Sequence, residues 1–156
     1  MIDRRWTLIT TIASIVLLLV TPTQDASGQE AAIRAVVDDY SRLLEEGDVD
    51  RFLDLFVDDP VFVHPMLPAL VGKDALRAFV EQIFGQQSAN GSTIRVERIT
   101  LSEENWAYAV AEFSTTWVPN NGAEPFQDND RYLFVLSRES DEVWKLKWCA
   151  FYERAR

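Results

Sequence analysis

The run Gly72-Lys73-Asp74-Ala75-Leu76-Arg77-Ala78-Phe79-Val80-Glu81-Gln82-Ile83-Phe84-Gly85 and the run Thr93-Ile94-Arg95-Val96-Glu97-Arg98-Ile99-Thr100-Leu101 stand on either side of a change in periodicity. In the first, Leu76, Phe79, Val80, Ile83 and Phe84 recur at three- and four-residue spacing, which draws one apolar stripe down a helix. In the second the apolar residues alternate, which gathers them on a face of a strand. Ile94 and Val96 hold one parity while Ile99 and Leu101 hold the other, and a phase switch near Glu97 and Arg98 predicts a bulge that bends the sheet. Helical spacing precedes Gly85, and alternation follows it to the end of the chain. That order predicts an α+β domain.

Working back from Gly72, Met66 to Val71 reads as a loop around Pro68, and Val61 to His64 as a short strand between prolines. Val49, Phe52, Leu53, Leu55 and Phe56 belong to a short helix capped by Asp48 and closed at Asp58-Asp59-Pro60, since the residue before a proline is pushed out of the helical region. Before Gly47, the positions Ile33, Val36, Val37, Tyr40, Leu43 and Leu44 mark a first helix over residues 30–46. Working forward, Trp106 to Trp117 is a long strand with Ala107, Ala109, Ala111 and Phe113 on one face, small residues that leave room for something. Val118 to Asp128 reads as a loop, with Pro119, Asn120-Asn121-Gly122 and Pro125. Tyr132 to Arg138 and Val143 to Glu153 form a closing hairpin, with Trp144, Leu146, Trp148, Ala150 and Tyr152 sharing a face. The whole predicts a curved antiparallel sheet packed against three N-terminal helices, a cone that encloses a pocket.

Residues 1–28 stand apart from that domain. Arg4 and Arg5 precede an apolar run from Trp6 to Val20 and a polar stretch ending Ala26-Ser27-Gly28, the grammar of a secretory signal. The run is shorter than the roughly 20 apolar residues of a spanning helix, so export to the periplasm or medium is the expectation and an uncleaved membrane tether the alternative, with no other stable membrane partner. The domain then covers residues 29–156. Its one cysteine, Cys149, has no partner for an internal disulfide and reads as a small buried apolar group, the alternatives being a reactive thiol or an intermolecular bridge.

The 156 residues carry a formal charge of -10, which disfavours nucleic acid and acidic substrates as partners. One histidine and one cysteine far apart make a poor transition-metal site, and the lack of a glycine-rich phosphate loop disfavours nucleotides. No cofactor is implied.

Tyr40, Gly47-Asp48, Asp58-Asp59-Pro60, Val61-Phe62-Val63-His64-Pro65 and Gly72-Lys73-Asp74-Ala75-Leu76-Arg77-Ala78-Phe79, followed by a terminal hairpin over residues 132–152, resemble in order and spacing the nuclear transport factor 2-like superfamily, in its SnoaL-like and ketosteroid isomerase branch. The resemblance covers nearly all of residues 31–153 and implies a cone fold, often a homodimer. It also implies a site. In ketosteroid isomerases a carboxylate base, an aspartate before a proline at the end of the first strand, works with a tyrosine and a protonated acid as oxyanion donors. By ungapped reading His64 takes the place of the base and Tyr40 that of the tyrosine. For the second acid, Asp130 is nearest in sequence, while strand counting puts Leu133 there.

The residues support part of this independently. His64 is the chain's one imidazole, the side chain whose ordinary pKa suits proton transfer at neutral pH, and Tyr40 could stabilise an enolate. Each also has a plain structural reading, as a pocket-lining or core side chain with a single hydrogen bond. Phe56, Phe84, Trp117, Trp148 and Tyr152 are candidates to line a site for a small apolar molecule, with Phe126 in the same aromatic set. Glu112, Asp128 and Asp130 could serve as acids or mark a solvated edge. The expected function is proton-transfer chemistry of isomerase, dehydratase or cyclase type on a small carbonyl compound, and the alternative a non-catalytic ligand-binding or dimerisation module. A third reading, an interaction protein, would expose Trp106, Tyr108 or Phe151 in one outer patch.

Overall fold

The computed structural model describes residues 22–102 and 105–153. Three helices, α1 (Pro22–Glu46), α2 (Val49–Asp54) and α3 (Lys73–Gln86), alternate at first with β1 (Phe56–Val63) and β2 (Leu70–Val71). Four long strands follow: β3 (Gln87–Leu101), β4 (Trp106–Pro119), β5 (Phe126–Arg138) and β6 (Trp144–Glu153). One six-stranded sheet runs in the order β2-β1-β6-β5-β4-β3. Every junction is antiparallel except β1 with β6, which run parallel. This is the α+β cone read from the sequence, a curved and unclosed sheet with helices packed on it.

The helix-bearing face holds the core. Ile33, Val37 and Tyr40 of α1, Phe52 and Leu53 of α2 and Leu76 of α3 pack onto Ala109, Ala111, Phe134, Leu136 and Leu146 of the sheet, all nearly inaccessible to solvent. Local signals act as read. The Asp48 side chain accepts the backbone N–H of Arg51 at 3.1 Å and starts α2. Gly47, at φ 67°, takes the left-handed conformation that ends α1 with little strain. The bulge predicted near Glu97 and Arg98 is present, since the β3–β4 register slips between Val96 and Arg98. A second slip falls between Asn90 and Thr93, around Gly91 at φ 65°. Each adds bend to the sheet.

Five details differ from the sequence reading, the first being that Leu70–Val71, read as the end of a loop, forms β2 and pairs with Phe62 and Val61. The first helix begins by Pro22 rather than residue 30, because residues 26–32 carry no fully buried side chain and leave no apolar stripe to read. Asp58-Asp59-Pro60 does not close α2 but lies inside β1. Phe56 pairs with Leu146 and Val61 with Trp148, so the intervening residues form a bulge where the missing N–H of the buried Pro60 breaks no ladder. Strand β3 starts at Gln87, directly after α3, with polar residues whose pairing to residues 116–119 leaves no alternation to detect. The loop over residues 118–128 shrinks, as β4 continues to Pro119 and β5 starts at Phe126. The export segment read at the N-terminus lies, up to residue 21, outside the described residues.

Candidate functional site

A void of about 230 Å³ opens between the helices and the sheet, bounded by side chains of α1, α2, α3, β1, β3, β4, β5 and β6. Its walls are mostly rings. Phe52, Phe62, Phe79, Phe84, Trp117, Phe126 and Phe151 border it together with Leu44, Val80 and Ile83. Among the described residues no lysine or arginine lines it, and the polar groups facing it are Tyr40, Tyr132, His64, Asp128 and Gln87. An apolar cavity of about 150 Å³ accepts benzene, so this one accepts a molecule of one to two rings.

Tyr40 and Tyr132 form the floor. Tyr40 occupies the buried stripe of α1, 3% exposed, with its ring centroid 5.0 Å from Phe52, 5.3 Å from Phe134 and 5.6 Å from Tyr132. The Tyr40 and Tyr132 phenols and the Cys149 thiol lie close enough to influence one another electrostatically. Burial first, then the neighbouring phenol and thiol, holds Tyr40 well above the ordinary tyrosine value. Burial and the nearby Cys149, Asp128 and Asp130 raise Tyr132 likewise. Both phenols therefore keep their protons at physiological pH and remain donors. Burial also pushes the Cys149 thiol up, which leaves it protonated and a poor nucleophile.

His64 and Asp128 both border the void. His64 directly follows β1, where the backbone N–H of Met66 donates to its Nδ1 at 3.0 Å. The imidazole meets the Phe151 ring edge-on at 4.7 Å and that of Phe79 at 5.9 Å, which fixes its plane. Because Nδ1 accepts a hydrogen bond, the neutral ring carries its proton on Nε2. Asp128 faces inward from β5 opposite Thr115, and its Oδ2 accepts the indole N–H of Trp117 at 3.1 Å. Among the described residues no hydrogen bond reaches its Oδ1.

Of the candidates, the structure brings Tyr40, His64, Phe84, Trp117, Phe126 and Asp128 to one void. Phe56 is fully buried behind the wall, against Tyr40 and Phe52. Asp130 points inward but is buried opposite Phe113 and does not border the void. Trp148 is on the outer face, 50% exposed, because the β5–β6 register slips between Val135 and Leu136 and inverts the parity beyond Leu146. Cys149 takes the inward position instead. The Tyr152 side chain lies outside the described residues; its backbone pairs with Arg131. Leu133 is exposed, as is the outer pair Trp106 and Tyr108, whereas Phe151 turns into the void rather than joining that patch. Glu112 lies on the outer face with Arg95, 2.5 Å away.

Sequence reasoning missed Tyr132 and offered Asp128 as a possible acid or as part of a solvated edge; the structure places it on the void. The signal was there: extending the strand back from Tyr132 puts Asp130, Asp128 and Phe126 on its face at two-residue steps. Pro125 and the polar run after it concealed that extension. Among the described residues no cluster of His, Cys, Asp and Glu suits a metal ion.

The family described as the SnoaL-like domain matches residues 37–154. The chain belongs to that family. Similar solved structures include a ketosteroid isomerase-like protein of Erwinia carotovora atroseptica, 19% identical, with a TM-score of 0.74 over 81% of this chain and 96% of that one. A candidate scytalone dehydratase of Novosphingobium aromaticivorans is 18% identical, with a TM-score of 0.75 over 85% and 89%. ActVI-ORFA of Streptomyces coelicolor is 16% identical, with a TM-score of 0.64 over 81% and 97%. Among functionally curated proteins none matches the sequence. At these identities the neighbours of this SnoaL-like domain establish its fold.

Proposed function

We propose that this SnoaL-like domain is an enzyme of proton-transfer type, performing isomerisation, dehydration or cyclisation on a small, neutral carbonyl compound. The observation that carries this reading is the convergence of two buried phenols, an imidazole and a carboxylate on one ring-lined void. Apolar walls strip water from a carbonyl and strengthen each polar contact to it, the phenols supply donors for a developing oxyanion, and the imidazole and carboxylate supply acid–base groups. The absence of a lysine or arginine among the described lining residues favours neutral over anionic ligands. Names borne by the neighbours, ketosteroid isomerase-like and scytalone dehydratase, fall in the same class of chemistry.

The test is exchange of the α-protons of an aromatic bicyclic ketone, 2-tetralone, followed by proton NMR in D2O. The enzyme reading predicts exchange about 10²–10⁴-fold faster than buffer catalysis at equal pH. A ketone that binds without accelerated exchange, across a panel of such ketones, would instead establish a non-catalytic ligand-binding module.

Two further proposals concern where and how the domain works. We propose export, with cleavage after Gly28; in support, none of residues 26–28 carries a fully buried side chain. N-terminal sequencing of protein from culture medium or periplasm should begin at Gln29, whereas a full-length chain in the membrane fraction would mark a tether. We also propose a homodimer through the outer sheet face, where Tyr108, Val135 and Trp148 lie side by side on adjacent strands and Trp106 and Leu133 are exposed nearby. Among the described residues no helix is long and apolar enough to cross a membrane.

A further inference from the structure

The lining of the void carries an unbalanced charge. Asp128 is the one carboxylate among its described residues, and no lysine or arginine stands beside it there. On the outer sheet face the half-buried Glu112 is neutralised by Arg95 at 2.5 Å. Asp128 has instead a neutral donor, the Trp117 indole at 3.1 Å on Oδ2, and no hydrogen bond or ion pair from any described residue at Oδ1. A carboxylate drawn partly out of water is stabilised by a counter-charge, and here the protein supplies none among the described residues. The surroundings suit a cation. Most of the lining is phenylalanine, tyrosine and tryptophan, whose ring faces attract a positive charge within roughly 6 Å. Trp117, bonded to Asp128, lies beside any charge that pairs with it. The formal charge of -10 on the whole chain draws cations toward the protein from further away.

We propose that the void binds small cyclic amines in their protonated form, a ligand class beyond the neutral carbonyl compound of the reading above. The ammonium group pairs with Asp128 beside the Trp117 indole, and the hydrocarbon frame lies among Phe52, Phe62, Phe79 and Phe84. Complete removal of an ammonium from water would outweigh the pairing. Asp128 is half-buried rather than enclosed, however, and Phe126, two residues before it on the same face of β5, is 48% exposed. The charge therefore stays near solvent while the rings bury the apolar frame. This is a statement about binding, and it is independent of whether proton transfer takes place in the void.

Three compounds of one shape and different charge test this: 2-aminotetralin, the neutral alcohol tetralin-2-ol and the anion tetralin-2-carboxylate. Each is titrated into the protein at pH 8, where an ordinary imidazole is uncharged and an alkylammonium keeps its proton. Calorimetry reads affinity, and the Trp117 indole signal in a nitrogen-15 correlation spectrum reads location. The amine should bind about tenfold tighter than the alcohol and move that signal, and the carboxylate should bind weakest. Asp128→Asn, whose amide oxygen still accepts the indole N–H, should bring the amine down to the affinity of the alcohol and leave the alcohol within about twofold of its wild-type value. Retained alcohol binding shows that the variant keeps its void, and the wild-type series decides the matter by itself should the variant fail to fold. An amine that does not bind, that binds no tighter than the alcohol, that leaves the Trp117 signal unmoved, or whose advantage survives Asp128→Asn would overturn the proposal. None of these results bears on the 2-tetralone exchange, and failure of that exchange would leave the amine site standing.

Discussion

The inner face of β4 has two halves, and they handle space in opposite ways. At one end Ala107, Ala109 and Ala111 present methyl groups, yet this end is solid: each alanine lies beside a larger β5 neighbour, Leu136, Phe134 and Tyr132, and none of the three alanines borders the void. At the other end stands Trp117, among the largest side chains in the molecule, and it borders the void. The sequence expectation that small residues leave room for a ligand is thus corrected. Small side chains admit close approach of their neighbours and are filled over, whereas large rings at the open end meet across a gap and wall it. A pocket in this fold is marked by the rings around it and by where the helices stop covering the sheet.

Four substitutions or titrations would break or sharpen that contrast. Phe134→Ala at the solid end should destabilise by about 3–5 kcal/mol in chemical denaturation, as for a large ring removed from a close-packed core. A loss below about 1 kcal/mol would show that this end is loosely packed. Ala109→Leu, which overfills the same end, should cost about 1–3 kcal/mol, and a neutral result would reveal spare volume beneath the sheet.

Alkaline unfolding probes the floor between the two halves. Tyr40, Tyr132 and Cys149 have native pKa values above those of the unfolded chain, all chiefly through burial. Their contribution to stability is complete below the unfolded values, about 9 to 10, and is lost as pH climbs from there through the raised native values. Each such group steepens the fall by about 1.4 kcal/mol per pH unit. Tyr132→Phe should shallow the slope above pH 10 by about one such increment, and an unchanged slope would mean that its phenol ionises in the native state. The smallest effect belongs to the open end: Phe126→Ala, at a rim residue 48% exposed, should change stability by less than about 0.5 kcal/mol while weakening 2-tetralone binding. Outside this contrast, Trp148→Lys on the outer face should shift sedimentation toward a monomer if that face forms the dimer.

The parts of the fold that were legible are those where burial and periodicity coincide. The stripes of α1 and α3 bury one side against the sheet, and β4 alternates cleanly, so each announces itself in the apolar pattern. The bulge after Val96 was legible for the same reason, as a break in the alternation. Boundaries set by pairing rather than burial were not. Pro60 lies inside a strand because an irregular ladder needs no donor there, and β5 begins among polar residues because its first positions face either the rim or the solvent. The slip in β6 that turned Trp148 outward and Cys149 inward depends on the register of a neighbouring strand, which local alternation cannot report. The site follows the same rule. Tyr40 and His64 were found through the resemblance and Asp128 was offered as a possible acid, while Tyr132 and the inward facing of Asp128 required the true start of β5.

The claim that everything else rests on is that the open end receives the ligand, and the tryptophan indoles report on both ends at once. In a nitrogen-15 correlation spectrum, 2-tetralone should move the Trp117 indole signal, whose N–H bonds Asp128, together with the His64 ring, and leave the indole of the buried Trp144 where it is. Saturating ketone that leaves Trp117 and His64 unmoved, or that moves Trp144 as far, would contradict the account.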